Sequence, residues 1–154
     1  MKIVISLFFL FFSLYAQEGV KKVVYDLTTG DIHVFEQKIL SGIAAQKSYY
    51  EANLEELSAS VVIHGDAYKF FINDLKDSPY KNDKKLLAKR QELQKRLRSL
   101  ADIYQVEFLM CDSGRKKKHI EEKTLYPFVK IVPNAAIGLI NKQNEGYAYL
   151  PVSN

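Results

Sequence analysis

The sequence predicts an α/β fold in which a mostly parallel five-stranded sheet is covered by helices on both faces. Three observations predict it. Short runs rich in β-branched residues recur along the chain, as in KVVYDL, SVVIH and FVKIV. Segments with helical apolar spacing separate them. The two kinds alternate, and parallel strands need crossover connections that place helices over the sheet.

The first strand is read at Lys22 to Leu27, where Val23, Val24 and Tyr25 favour a pleated surface. Thr28-Thr29-Gly30-Asp31 breaks it, and Asp31 is placed to cap a helix. Ile32, Phe35, Ile39, Ile43, Gln46, Tyr50, Leu54 and Leu57 then step by threes and fours, which predicts one long helix packed on a sheet. Ser60 to His64 is a continuous apolar run closed by Gly65-Asp66, the mark of a buried strand. Ala67 to Leu75 reads as a short helix stopped by Ser78-Pro79. Lys84 to Tyr104 is a second long helix, with Leu86, Arg90, Leu93, Leu97, Leu100, Ala101 and Tyr104 near one face. Its Lys and Arg residues read as a solvated face; docking of an acidic partner is the alternative. Val106 to Met110 is the third strand and runs into Cys111. Lys116 to Lys123 reads as a short helix and Phe128 to Val132 as the fourth strand. Asn134 caps a helix over Ala135 to Asn144, Gly146 suits the left-handed turn after it, and Tyr147 to Leu150 is the fifth strand.

The chain begins with Lys2 and an apolar block from Ile3 to Tyr15, followed by Ala16 and the polar Gln17-Glu18. Charge, apolar core and small residue in that order predict a signal peptide over residues 1–16 and a single domain over 17–154. The apolar run of about 13 residues is short against the roughly 20 of a transmembrane helix. An uncleaved anchor is the other reading; cleavage predicts a periplasmic or secreted protein with no stable membrane span. A formal charge of +4 is too small for a dedicated nucleic-acid binder. One cysteine excludes an internal disulfide. Ten tyrosines and nine phenylalanines must then supply the bulk of a core that no disulfide supports.

In open parallel sheets, ligands bind outside the carboxyl ends of the strands. That rule collects Thr28, His64, Gly65, Cys111, Ser113, Arg115 and Asn134 on one edge. Cys111 is the candidate nucleophile, because a helix N-terminus or nearby cations lower a thiol's pKa, and Arg115, Lys116, Lys117 and Lys118 follow it. Asp112 opposes that effect. The alternative is an inert thiol at a strand end. His64 is a candidate base or donor beside it. Asp26 reads as a holder of loop backbone. His33 and His119 have no ligand spacing with Cys111, so no metal is expected, and the absence of GxGxxG or P-loop patterns gives no cofactor.

Five ordered pieces resemble the DsrE/DsrF-like family of sulfur-relay proteins: KVVYDLTTGD, VVIHGDAYKFF, VEFLMC, VKIVPNA and INKQNEGYAYLP. The resemblance implies a three-layer α/β/α domain that assembles into trimers or hexamers. It also implies a cysteine that carries sulfur as a persulfide between donor and acceptor proteins, a role that only Cys111 matches. CDSGRKKK is more polar and basic than the small-residue segment expected after that cysteine. The competing expectation is an oligomeric binding or scaffold module with an inert cysteine, so enzymatic activity is left open.

Overall fold

Five short apolar strands pair side by side in the computed structural model, which describes residues 19–154; the segment read as a signal peptide lies outside the described residues. The strands are β1 (Lys21–Leu27), β2 (Leu57–Ile63), β3 (Glu107–Cys111), β4 (Val129–Val132) and β5 (Ala148–Val152). They lie in the order β4-β3-β2-β1-β5, and all four pairings are parallel. The chain steps outward from β1 to β4, then returns across the sheet to place β5 beyond β1.

That return decides which face each helix covers. Crossovers between parallel strands are right-handed, so a reversal of direction moves the connection to the opposite face. α1 (Ile32–Phe35), a π-helical turn at Glu36–Ser41, α2 (Gly42–Ala52) and α3 (Lys84–Asp102) share one face. There Phe35 stacks on Phe70 at 4.1 Å and Phe71 packs against Phe108 at 5.4 Å. α4 (Asp112–Lys117) sits at the carboxyl edge, and α5 (Ala135–Asn144) covers the other face, with its Gly138 against Val62 and Val132. Side chains alternate along β3. Phe108 and Met110 therefore face α1–α3, while Glu107, Leu109 and Cys111 face α5. An ion pair of 2.7 Å between Glu107 and Lys142 of α5 fixes that assignment.

The helix starts follow from their caps. Asp31 Oδ1 accepts from the N–H groups of His33 and Val34 at 2.8 and 3.0 Å, as its position predicts. Asp83 does the same for Leu86 at 3.0 Å, and Asn134 for Ile137 at 2.9 Å.

Three elements differ from the sequence reading. The first long helix ends at Ala52, not Leu57. Leu54 stands 98 % exposed at φ 60, and Glu55 N–H bonds back to Tyr50 O. The apolar spacing runs on by coincidence, because Leu57 and Ala59 are already the inward residues of β2. Ala67–Phe71 forms only a 3₁₀ turn, after which Ile72 bridges Leu125. The short helix expected at Lys116 to Lys123 begins instead at Asp112, directly after β3. Asp112 ion-pairs with Arg115 and Lys116 one turn on, and its charge suits a helix N-terminus.

Candidate functional site

The carboxyl ends of all five strands share one edge. β4 is followed by a connection to the α5 face, whereas the helices after β1 and β2 lie on the opposite face, so the β3/β4 ends form the topological switch point. Cys111 is the last residue of β3 and the N-cap of α4, and its partner in register is Val132, just before Pro133 and α5. Ser113 N–H donates to Pro133 O at 3.2 Å and locks the two junctions together. The sulfur thus sits between the first turns of two helices.

Its surroundings favour the anion. Burial alone would raise the thiol pKa; the Ser113 hydroxyl, the Tyr68 hydroxyl and the N–H groups of Gly114 and Ala135 outweigh it, and the net shift is downward. Ser113 Oγ lies 3.3 Å from Cys111 Sγ. The backbone N–H of Gly114 completes no capping hydrogen bond to the sulfur, so it acts as an oriented dipole. Burial and the contact with Cys111 push the Tyr68 phenol upward, which keeps it a hydrogen-bond donor. Asp112, expected to oppose the thiolate, is held by Arg115 at 2.6 Å and Lys116 at 2.7 Å. Thiolate absorbance of Cys111 is therefore expected to titrate below that of a free cysteine. In Ser113→Ala the midpoint moves up and alkylation at neutral pH slows, as followed by iodoacetamide mass spectrometry. An unchanged midpoint would remove Ser113 from the site.

The remaining candidates divide by how their polar groups are used. Arg115 is buried and turned inward, donating to Asp112 and to Ile120 O at 2.6 Å, so it faces no ligand. Asn134 is occupied by its cap. Thr28 bonds Val152 O through its N–H at 3.0 Å and accepts from Asp66 N–H at 2.9 Å, which ties β5 to the turn after β2. Gly65 occupies φ 63 in that turn, and a Cβ there would stand 2.8 Å from Thr28 O, so the position excludes side chains twice over. Of the five edge residues read from the sequence, Ser113 is the one that meets Cys111.

His64 follows Ile63, whose partner on β3 is Met110, so it stands level with Cys111 on the adjacent strand. His64 N–H still donates to Leu27 O at 3.0 Å, so this level is held by the ladder. Its ring turns toward β1, where Nε2 lies 2.5 Å from Asp26 Oδ1. Tyr149 of β5 donates to the other oxygen, Asp26 Oδ2, at 2.6 Å. Asp26 therefore bridges two side chains rather than holding loop backbone. Sequence reasoning missed Tyr68 and Tyr149. For Tyr149 the period of β5 carries a signal, since it places Tyr149 on the same face as Val24 and Asp26. Tyr68 carries none, because its position depends on a 3₁₀ turn.

A cavity of about 490 Å³ lies elsewhere, between Gly30, Asp31, Lys69, Asp83, Lys85 and Lys89. It touches neither Cys111 nor His64, and its Lys69 is held by Asp83 at 3.2 Å. Among the described residues no cluster of His, Cys, Asp and Glu could hold a metal ion, and no helix is long and apolar enough to cross a membrane.

A wholly parallel sheet between helical layers, with a lone thiol at its switch point, defines a small three-layer α/β protein. The family model that matches it is the DsrE/DsrF-like family, over residues 22–152. The chain belongs to the DsrE/DsrF-like family. It is 30 % identical over 159 aligned residues to an uncharacterised protein of Aquifex aeolicus (strain VF5); the match covers 97 % of this chain but 65 % of that protein. A solved structure of a protein of unknown function from Methanobacterium thermoautotrophicum, MTH1491, superposes with a TM-score of 0.55 at 21 % identity. That match covers 85 % of this chain and 98 % of the other, and it shows the fold.

Proposed function

We propose that the protein carries sulfane sulfur on Cys111 and passes it to an acceptor thiol. The observation that carries this reading is the sulfur's setting: a buried thiol whose anion is favoured by Ser113, Tyr68 and two helix starts. Family membership agrees with it. In uptake, the Cys111 thiolate attacks the outer sulfur of a polysulfide, the adjacent S–S bond breaks, and the remaining chain leaves as an anion one sulfur shorter. Cys111 then bears a persulfide. In delivery, the acceptor sulfur attacks the outer atom and Cys111 departs as thiolate. A low thiol pKa helps both halves, by populating the nucleophile and by easing its departure.

The test is intact mass after polysulfide treatment. Wild-type protein is expected to gain sulfur on Cys111, and Cys111→Ser to gain none. A wild-type protein that takes up no sulfur and resists alkylation sinks the proposal. That outcome favours the second reading, a scaffold with an inert thiol, which the 5 % exposure of Cys111 supports.

The same proposal places the protein outside the cytoplasm as a trimer or hexamer. Export rests on the order of residues 1–16, and an N-terminus still at Met1 in the exported fraction would sink cleavage. Assembly rests on the exposed apolar side chains of Ile137, Ile140, Tyr149 and Leu150 along α5 and β5. Light scattering coupled to size exclusion is expected to give a trimer or hexamer; a monomer would sink it.

A further inference from the structure

We infer that Asp26 and Tyr149 are positioning residues that set the tautomer of His64, so that its Nδ1 takes the proton from a thiol attacking the sulfur held on Cys111. The inference rests on the same Cys111 site as the proposed sulfur carriage.

The assignment follows from counting donors. A carboxylate has no proton to give. Asp26 Oδ2 already accepts from the Tyr149 hydroxyl at 2.6 Å, which holds the carboxylate in one orientation. Oδ1 lies 2.5 Å from His64 Nε2, so Nε2 bears the proton and donates it. In the neutral ring Nδ1 is then the basic atom, and it has no partner among the described residues.

Placement supplies the rest. His64 and Cys111 are level on neighbouring strands, whose spacing is about 4.8 Å. Both face α5, because side chains alternate and Val62, two residues before His64, meets Gly138. The His64 side chain is part-exposed while Cys111 is almost covered. The more open imidazole, one strand over from Cys111, is thus the base offered to a thiol that approaches the outer sulfur of a Cys111 persulfide. The step balances. The acceptor S–H bond breaks and its proton goes to Nδ1. The acceptor sulfur bonds the outer sulfur, the bond to Cys111 Sγ breaks, and its electron pair stays on Cys111 as thiolate. No external oxidant or reductant enters.

The experiment uses the full chain with Cys111 blocked as a methyl disulfide by methyl methanethiosulfonate, whose outer sulfur stands in for that of a persulfide. Single-turnover release is measured by mass spectrometry with two incoming nucleophiles just above neutral pH. 2-Mercaptoethanol is mostly protonated there and needs a base. Sulfite is already a dianion, cleaves disulfides and needs none. Wild-type protein should release to both. His64→Gln and Asp26→Asn should slow release to 2-mercaptoethanol by 10-fold or more and leave sulfite within 2-fold. Tyr149→Phe should show a smaller loss of the same selectivity. Equal slowing with both nucleophiles, or no slowing with either, overturns the inference. Nitrogen NMR of the labelled histidines gives a readout that does not depend on turnover: the Nε2–H tautomer at His64 supports the assignment, and Nδ1–H overturns it. Protein that accepts the methylthio group yet takes no sulfur from polysulfide would sink sulfur carriage alone, and the rate ratio would still decide the role of His64.

Discussion

Gly114→Ala is expected to destabilise the protein by about 2 kcal/mol and to weaken the thiolate at once. The new Cβ would fall on the Tyr68 hydroxyl and stand 3.0 Å from its ring carbon Cζ. Tyr68 has little room to retreat: it is 1 % exposed, and its hydroxyl donates to Cys111 O at 3.0 Å. Either the phenol gives up that bond or the first turn of α4 moves away from the sulfur. Both outcomes disturb donors that favour the Cys111 anion, so its titration midpoint rises. Urea unfolding gives the stability change as a lower midpoint at constant slope. Tyr68→Phe removes the clashing oxygen, so the double variant should lose less than the sum of the single changes, by about 1 kcal/mol. Strict additivity would show that the contact does not govern this turn.

This dependence of a cysteine on a glycine three residues later, and on a tyrosine forty-three earlier, marks where sequence reasoning stops. The strands were legible because Val23, Val24, Val61, Val62, Phe108 and Leu109 are buried in unbroken runs, as a parallel sheet demands. The capped starts at Asp31 and Asn134 were legible because a side-chain oxygen before an apolar period has one use. The end of the first long helix was not, since Leu54 and Leu57 continue a helical period that the backbone abandons. At the site, position was legible and orientation was not. Cys111 and His64 could be placed on one edge from topology. That His64 turns to Asp26, that Arg115 turns inward and that Asn134 is used in its cap all depend on side-chain partners with no fixed sequence separation. Asp112 shows the same limit. Beside a thiol it reads as an opposing charge, yet Arg115 and Lys116 hold it in the folded chain.

Stability is expected to fall in acid through Glu107, at the opposite end of the sheet from the thiol. Burial raises its pKa, but hydrogen bonds and charge from Lys142 and Lys130 more than offset this and bring it from 4.5 to about 2. Lys142 Nζ lies 2.7 Å from Glu107 Oε2, and Lys130 Nζ 2.9 Å from Oε1, so one carboxylate joins α5, β3 and β4. Its folded pKa is depressed, so the stabilisation is fully present above about 4.5 and lost as pH falls through about 2. The shift corresponds to about 3 kcal/mol as an upper bound, and to about half of that after solvent screening. Glu107→Gln should flatten the stability profile between those two pH values. At neutral pH the same variant should cost about 1–2 kcal/mol, because the mostly buried Lys142 is left with Glu145 as its carboxylate partner. Lys142→Met removes that stranded charge, so Glu107→Gln with Lys142→Met should be more stable than Glu107→Gln alone. Urea midpoints of the four proteins at neutral pH and at pH 3 test both statements. An acid profile in Glu107→Gln that parallels wild type would show that α5 is held to the sheet by packing around Gly138 instead.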